Sequence, residues 1–438
     1  MPEVPDASPD APRGGAELFR APIGTHDVLA PDSLRFQQVV ATFAARAGRY
    51  GFGLVLTPMF EHLEVFHRVG ASTDVVRKEM YDFEDKGGRR LALRPEGTAP
   101  VVRAYVQHRP TPPWKAFYVA PNFRYERPQK GRYRQHWQVG AEVLGVDDPD
   151  IDVEIIALAH GFYRELGLTG VALHLNSMGD DTSRPAYRAA LQEHLRPHVG
   201  DLGAAFAELV ELNPMRALDS KNPDWQGALA GAPELADHLS PESADHFARV
   251  RAGLDALGIT YTLAPRLVRG FDYYTRTTFE FTSDALAAAQ NALGGGGRYD
   301  KLAEEMGGPP TPGVGFGIGV ERVLHAMEAE LGTPTRVGDL DAFVVDAIGD
   351  GSVGPFVEKL RATGLRVDRS YGGRSVKAQW KAADRSGAAF GVMLGRDEAT
   401  RDAVAVKDMR SGEQVEIARR DVAAELSARR SGRGAHGT

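Results

Sequence analysis

Four glycines at every second position, Gly313, Gly315, Gly317 and Gly319, alternate with Val314, Phe316, Ile318 and Val320. In a strand this puts all the glycines on one face and all the apolar side chains on the other. Glycine weakens a strand, so the bare face should admit something closely, either a flat ligand or packed backbone. Glu321 and Arg322 follow at once and open a helix, setting a guanidinium beside that face. The spacing is not the dinucleotide G-x-G-x-x-G, and no phosphate-binding G-x-x-x-x-G-K-[ST] occurs. A second cluster lies upstream, where Arg124, Glu126, Arg127, Lys130, Arg132 and Arg134 crowd one polar turn with a net charge of +4. Such a turn suits phosphate or nucleic-acid contact, and equally a solvated loop. On the strand leaving it, Arg134, His136, Gln138, Gly140 and Glu142 share one face, with Trp137, Val139, Ala141 and Val143 on the other. Glu96, in RPEGT, sits at a strand-to-helix junction, where a carboxylate faces a site or stabilises the helix N-terminus. Arg269 lies at a turn beside Gly270, ahead of Tyr273 and Tyr274, which form either β-rich core or a polar pocket wall. GGGGRYDKL, Gly294 to Leu302, reads as a flexible turn that lets backbone approach a ligand, or as a hairpin loop. There is no Ser-His-Asp order, no H-E-x-x-H and no metal-ligand spacing, so metal ligands stay unassigned.

These residues need elements to position them. The 438-residue length predicts about three domains. The absence of cysteine excludes disulfides and cysteine-ligated zinc or iron–sulfur sites. With a net charge of −7, a nucleic-acid partner must be met by a local basic surface. No stretch approaches the ~18 apolar residues of a membrane span. The acidic, Pro-rich start MPEVPDASPDAPRGG has no signal-peptide character, so a cytoplasmic location without membrane contact is expected. Residues 1–18 read as a disordered tail. In DSLRFQQVVATFAARAGRYGF, Leu34, Val39, Val40, Phe43 and Ala47 recur at helical spacing, with Gly48 or Gly51 to end the helix. Gly53 to Pro58 reads as a short buried strand, Arg89 to Pro95 as another, and TAPVVRAYVQH as a helix. Lys115 to Gly145 reads as a long antiparallel hairpin, and Asp152 to Leu166 as a helix. Residues 19–175 thus form the first part of a core and 176–265 an alanine-rich helical insertion. Residues 266–332 resume the core, 333–338 form a Pro/Gly linker, and 339–426 alternate strand and helix as a small α/β domain with a partly parallel sheet. Residues 427–438 read as a second disordered tail.

Taken together and in this order, the segments resemble the histidyl-tRNA synthetase family of class II aminoacyl-tRNA synthetases, over nearly all of Phe19 to Leu426. The helix and strand ending at Pro58 resemble class II motif 1, FRYERPQKGRYRQHWQVGAEVLG motif 2, and GVGFGIGVERVL motif 3. LVRGFDYYTRTTFEF and GGGGRYDKL are similar to two blocks particular to the histidyl enzymes, and GGRSVKAQWKAADRSGA to their anticodon-binding domain. One departure stands at IGTHDVLAP, with His26 where the family usually carries arginine and Ile23 where a basic residue is common.

The resemblance implies an α+β class II synthetase core, an antiparallel sheet flanked by helices, with a helical insertion and a C-terminal α/β anticodon-binding domain. It implies a homodimer, and ligation of L-histidine to its tRNA through a histidyl-adenylate, with ATP as substrate and Mg2+. It makes Arg124 and Arg269 catalytic, holding the α-phosphate and the histidine carboxylate. Glu96, Gly97, Thr98, Gln138, Glu142, Arg269, Tyr273 and Tyr274 would surround histidine, with Glu142 and Tyr274 on the imidazole. Arg124, Glu126, Arg132, Gly317, Gly319 and Arg322 would bind ATP. Arg127, Lys130 and Arg132 would approach the acceptor stem, and Lys377, Lys381 and Arg385 would serve the anticodon domain. The last three lie in a stretch from Lys359 to Arg385 with eight basic and two acidic residues, a local +6. The competing reading is the non-catalytic regulatory paralogue of ATP phosphoribosyltransferase, which shares the core but typically lacks the C-terminal domain and degrades the catalytic motifs.

Overall fold

The computed structural model describes residues 19–70, 73, 75–129, 131–220, 222–268, 273–287, 291–332 and 340–434. The chain divides into two compact units, 1–333 and 334–438. Arg269, Lys130, the 1–18 tail and the 333–338 linker lie outside the described residues.

The strands of the first unit are β1 (Gly53–Leu54), β2 (Phe60–His62), β3 (Asp82–Glu84), β4 (Arg90–Leu93), β5 (Trp114–Phe123), β6 (Gln135–Leu144), β7 (Val171–Ser177), β8 (Thr262–Leu263), β9 (Thr275–Ser283), β10 (Ala292–Arg298) and β11 (Gly313–Gly319). Eight of them form one sheet in the order β1-β5-β6-β11-β10-β9-β7-β8. It is antiparallel except at its two edges, where β1 runs parallel to β5 and β8 to β7. Strands β2, β4 and β3 make a small antiparallel sheet.

The apolar face of β11 is core: Val314, Phe316 and Ile318 are buried with Val39 and Phe43 of the Asp32–Arg49 helix and Ile155 and Phe162 of the Pro149–Glu165 helix. Phe43 meets Phe117, Phe162 and Phe316 edge-on at 5.2 to 6.1 Å, the geometry that ring quadrupoles favour. The first helix buries Arg35, Val39, Phe43 and Ala47, one residue per turn on a single stripe, and stops where Gly51 takes φ +80°. With one face of the sheet committed to this core, the glycine face remains for a site.

Three expectations need correction. The Gly53 to Pro58 run is not a buried strand: only Gly53–Leu54 pairs, at the sheet edge, and Leu54 and Leu56 are exposed. An apolar run of six residues carries no periodicity that tells core from open edge. GGGGRYDKL does not begin as a loop, because Gly294 to Gly297 lie in β10, paired on both sides with β9 and β11. Nor is the C-terminal tail wholly irregular: the Val422–Gly434 helix runs through most of it, held by Val422 and Leu426 in the core of the second unit.

The helical insertion has its own apolar core between Tyr187 and Leu235. Its last helix, Pro241–Ala256, instead buries Phe247, Val250 and Leu254 in the main core. A buried ion cluster ties the same helix down: Asp152 accepts from Arg298 Nη1 at 2.6 Å and bonds His246 Nε2 at 2.8 Å.

The second unit contains β12 (Ala342–Asp346), β13 (Val367–Arg369), β14 (Phe390–Leu394), β15 (Ala403–Asp408) and β16 (Gln414–Ala418). Their order is β13-β12-β14-β15-β16, the first three parallel and the last two antiparallel, as the partly parallel α/β pattern predicts.

Candidate active site

The glycines of the inner strands make space for side chains from their neighbours. An ideal Cβ on Gly97 or on Gly140 would lie 2.3 Å from the Tyr118 ring, so two glycines from different elements admit one aromatic. A Cβ on Gly315 would lie 1.6 Å from Glu142 Oε2; its absence gives that carboxylate a place inside the sheet. The bare face thus receives both side chains and a cavity.

Glu142 is completely buried. Its oxygens accept from Tyr299 Oη at 2.5 Å and Thr98 Oγ1 at 2.7 Å. Burial, with a smaller contribution from the nearby Glu96 charge, pushes its carboxyl up to about 8 against these two hydrogen bonds. Glu96 accepts from the backbone N–H groups of Thr98 and Ala99, at 2.6 and 2.7 Å, and so does stabilise the start of the Thr98–His108 helix. Burial raises its pKa too, opposed by those bonds.

The Glu142 shift has a measurable consequence. The unfolded chain releases this proton near the ordinary value of 4.5, whereas the folded chain keeps it to about 8. Between those values the folded state binds more protons, so stability falls as pH rises. Glu142→Gln, which has no proton to hold, is expected to show a flatter decline in urea midpoint from pH 5 to pH 8. Parallel slopes in the two proteins would contradict the burial argument.

Two cavities adjoin on this face. The inner one, about 150 Å³, is lined by Glu96, Thr98, Tyr118, Arg124, Gln138, Tyr273 and Tyr274, with Val75, Gly295 and Gly317. The outer one, about 230 Å³, takes in Arg124, Glu126, Arg132, His136, Glu280 and Arg322 over the backbone of Gly294, Gly295, Gly317 and Gly319. Arg124, Gln138, Gly295 and Gly317 line both. Arg124 is fixed from behind by donating Nε–H to Pro95 O at 2.9 Å, and Gln138 by accepting from Asn122 Nδ2 at 2.6 Å. Arg322 donates to Ala292 O at 2.6 Å, which ties the motif 3 helix to the glycine strand β10. Burial, reinforced by Arg124 and Arg322, pushes His136 down to about 3, so it is neutral. Among the described residues the cations of the outer cavity are therefore three guanidiniums, Arg124, Arg132 and Arg322, with Glu126 paired to Arg132 at 3.2 Å.

The fold thus brings together Glu96, Thr98, Arg124, Glu126, Arg132, Gln138, Tyr273, Tyr274, Gly317, Gly319 and Arg322 around the two cavities. Gly97 sits behind the wall, under the Tyr118 ring. Glu142 is likewise off the wall, beneath Thr98. Arg127 is exposed on the hairpin loop, away from the cavity lining. Lys377, Lys381 and Arg385 are exposed on the Val376–Ser386 helix of the second unit. Sequence reasoning missed Tyr118, Asn122, Glu280 and Tyr299 as site or supporting residues. The signal for Tyr118 was available only as a pair of glycines, at 97 and 140, with no visible reason to be glycine. Of the departures near the start, His26 packs its ring on Tyr133 of the outer cavity at 4.4 Å, while Ile23 is exposed.

The chain is similar in sequence and fold to known proteins. Residues 24–323 match the family model for histidyl-tRNA synthetase, and residues 355–429 that for an anticodon binding domain. The histidine–tRNA ligase of Rhodococcus erythropolis is 49% identical over 406 residues, covering 91% of this chain and 95% of that protein. Its counterpart in Mycolicibacterium vanbaalenii is 48% identical over 419 residues, covering 94% and 99%. The crystal structure of apo histidyl-tRNA synthetase from S. aureus superposes with a TM-score of 0.78 at 35% identity, covering 93% of this chain and 100% of that one. Sequence and fold agree over both units, and the chain belongs to the histidyl-tRNA synthetase family.

Proposed function

We propose that this protein joins L-histidine to ATP as histidyl-adenylate, releasing diphosphate, and then passes the histidyl group to the 3′ end of the histidine tRNA, releasing AMP. The observation that carries the reading is the pair of cavities meeting at Arg124, one sized for an amino acid and one rich in guanidinium groups. A carboxylate held in the inner cavity meets the α-phosphate of a nucleotide held in the outer one. The carboxylate is already ionised, so its oxygen attacks phosphorus without a general base. What the protein supplies is alignment and charge stabilisation as negative charge builds on the phosphoryl oxygens. Arg124 serves the α-phosphate and Arg322 the distal phosphates, while Gly317 and Gly319 let the adenine lie against backbone. Arg269 is assigned the same carboxylate and phosphate by family resemblance.

Glu96, Thr98 and Gln138 suit the α-amino group, and Tyr274 the imidazole. Glu142 is assigned to the imidazole by family resemblance, and its link to the inner cavity runs through the Thr98 hydroxyl that it accepts from. Such a polar pocket rejects amino acids that leave its groups unpaired. Mg2+ belongs to the same proposal. No group of three or more His, Asp or Glu among the described residues is arranged to hold a metal ion. Magnesium, however, needs only one or two carboxylates beside substrate phosphates, and the outer wall offers Glu126 and Glu280. When bound it would neutralise phosphate charge.

The test is exchange of labelled diphosphate into ATP. It should require L-histidine and proceed without tRNA; its absence in an otherwise folded protein would favour the regulatory paralogue. That alternative is disfavoured by the intact cations Arg124 and Arg322 and by the matched C-terminal unit.

A homodimer and a cytoplasmic setting complete the reading. Leu54, Leu56, Met59 and Phe60, all more than half exposed, leave an apolar surface around motif 1 that a second copy would cover. Light scattering at micromolar concentration should give a dimer, and a fully active monomer would refute it. Among the described residues no helix is long and apolar enough to cross a membrane.

Arg127, Lys130 and Arg132 are assigned to the acceptor stem. Lys377, Lys381 and Arg385 recur every four residues, giving one exposed cationic stripe along a helix. Neutralising all three should raise the Michaelis constant for tRNA and reduce the salt slope of tRNA binding by about two. Diphosphate exchange, which needs no tRNA, should be unchanged. An unaltered salt slope would make the stripe a merely solvated helix face.

A further inference from the structure

The second unit presents one large aromatic ring to solvent beside that cationic stripe. Tyr371, in the loop between β13 and the Val376–Ser386 helix, is 61% exposed. An unpartnered ring in a mobile loop would mean little, but this loop is anchored. The buried Gln379 side chain donates to Arg374 O at 2.9 Å and to Asp346 O at 2.8 Å, and its Oε1 accepts from Asp346 N–H at 2.8 Å. One amide thereby pins the loop to the end of β12. The ring itself is held, because the Arg369 guanidinium lies 4.6 Å from its centroid.

Beyond the ring the way is open. Gly372 and Gly373 both adopt positive φ, +76° and +61°, and space for a Cβ on either is empty to 4 Å. Arg374, Lys377, Lys381 and Arg385 then follow, all exposed. A fixed aromatic stiffened by a guanidinium, flanked by bare backbone and then a row of cations, matches the chemistry of a single-stranded nucleic acid. A base stacks on the ring while the phosphates of its strand run along the cations.

We propose that Tyr371 is a nucleobase-stacking platform that takes an unpaired base of the tRNA anticodon loop, with the Val376–Ser386 stripe holding the adjoining phosphates. This inference rests on the tRNA-charging reading above and adds a base contact to its phosphate contacts. Stacking depends on the ring face and not on the hydroxyl, and it tolerates any base identity.

The experiment uses the full chain and an unmodified histidine tRNA transcript. Tyr371→Ala should raise the Michaelis constant for tRNA about tenfold, with histidine-dependent diphosphate exchange unchanged. Tyr371→Phe, which keeps the face, should stay within about twofold of the parent. Transcripts with an abasic site at successive anticodon-loop positions should then identify one position at which parent and Tyr371→Ala charge equally. Three results would overturn the proposal: wild-type charging by Tyr371→Ala, equal damage from Tyr371→Phe, or a defect that persists with every abasic transcript. If the parent protein exchanges diphosphate and charges tRNA, such a result removes only the platform. If it does neither, the underlying reading falls first.

Discussion

Gly296→Ala is expected to leave little folded protein. A Cβ at this position would lie 1.9 Å from the Gly315 carbonyl oxygen and 2.7 Å from Phe316 Cα. Both atoms are backbone of the adjacent strand, so no change of rotamer relieves the contact, and β10 and β11 would have to separate. Overpacking against movable side chains costs about 1–3 kcal/mol. Against backbone the loss should reach or exceed the top of that range, a large part of the ~5–15 kcal/mol by which a native protein is stable. Gly227→Ala is the control, because a Cβ there meets nothing within 4 Å and its helical backbone accepts alanine. Urea midpoints and soluble yield measure the difference. A Gly296→Ala protein as stable as the control would mean that the two strands do not approach as described.

Arg124→Ala is expected to lower the rate of histidine-dependent diphosphate exchange by about 10²–10³, the usual cost of removing a donor to developing charge. The guanidinium is anchored through Nε to Pro95 O, and Glu126 stands 3.9 Å from Nη1, so the group is set in place before substrate arrives. Only part of the loss should return in Arg124→Lys, since an ammonium cannot present two donors in a fixed plane. The fold should survive, because Arg124 lies on a cavity wall and outside the apolar core. The diagnostic is the division of the effect. A rise in Michaelis constants at unchanged turnover would show that Arg124 binds substrate and transition state equally, and would remove it from the chemical step.

The sequence by itself determined the motif 2 hairpin, the motif 3 strand and helix, and the partly parallel C-terminal sheet, because each rests on a local period that survives folding. Alternation in β11 predicted its two faces, and β11 does present Val314, Phe316 and Ile318 to the core. Family resemblance supplied half of the residues now found around the two cavities. What no local pattern carries is which neighbour fills a glycine's empty side. Gly294 to Gly297 read as a loop because glycine is costly in a strand. They form a central strand in which a Cβ on Gly294 or Gly296 would strike the backbone of β11 and one on Gly297 that of β9, while Gly295 lines the two cavities. Tyr118 was invisible for the same reason, since the two glycines that admit it lie on the Gly97 turn and on β6 and meet only in three dimensions. Glu142 shows the reverse case. Its place on the polar face of a strand was legible, but its raised pKa and its position beneath Thr98 follow from burial, and burial is a property of the assembled sheet.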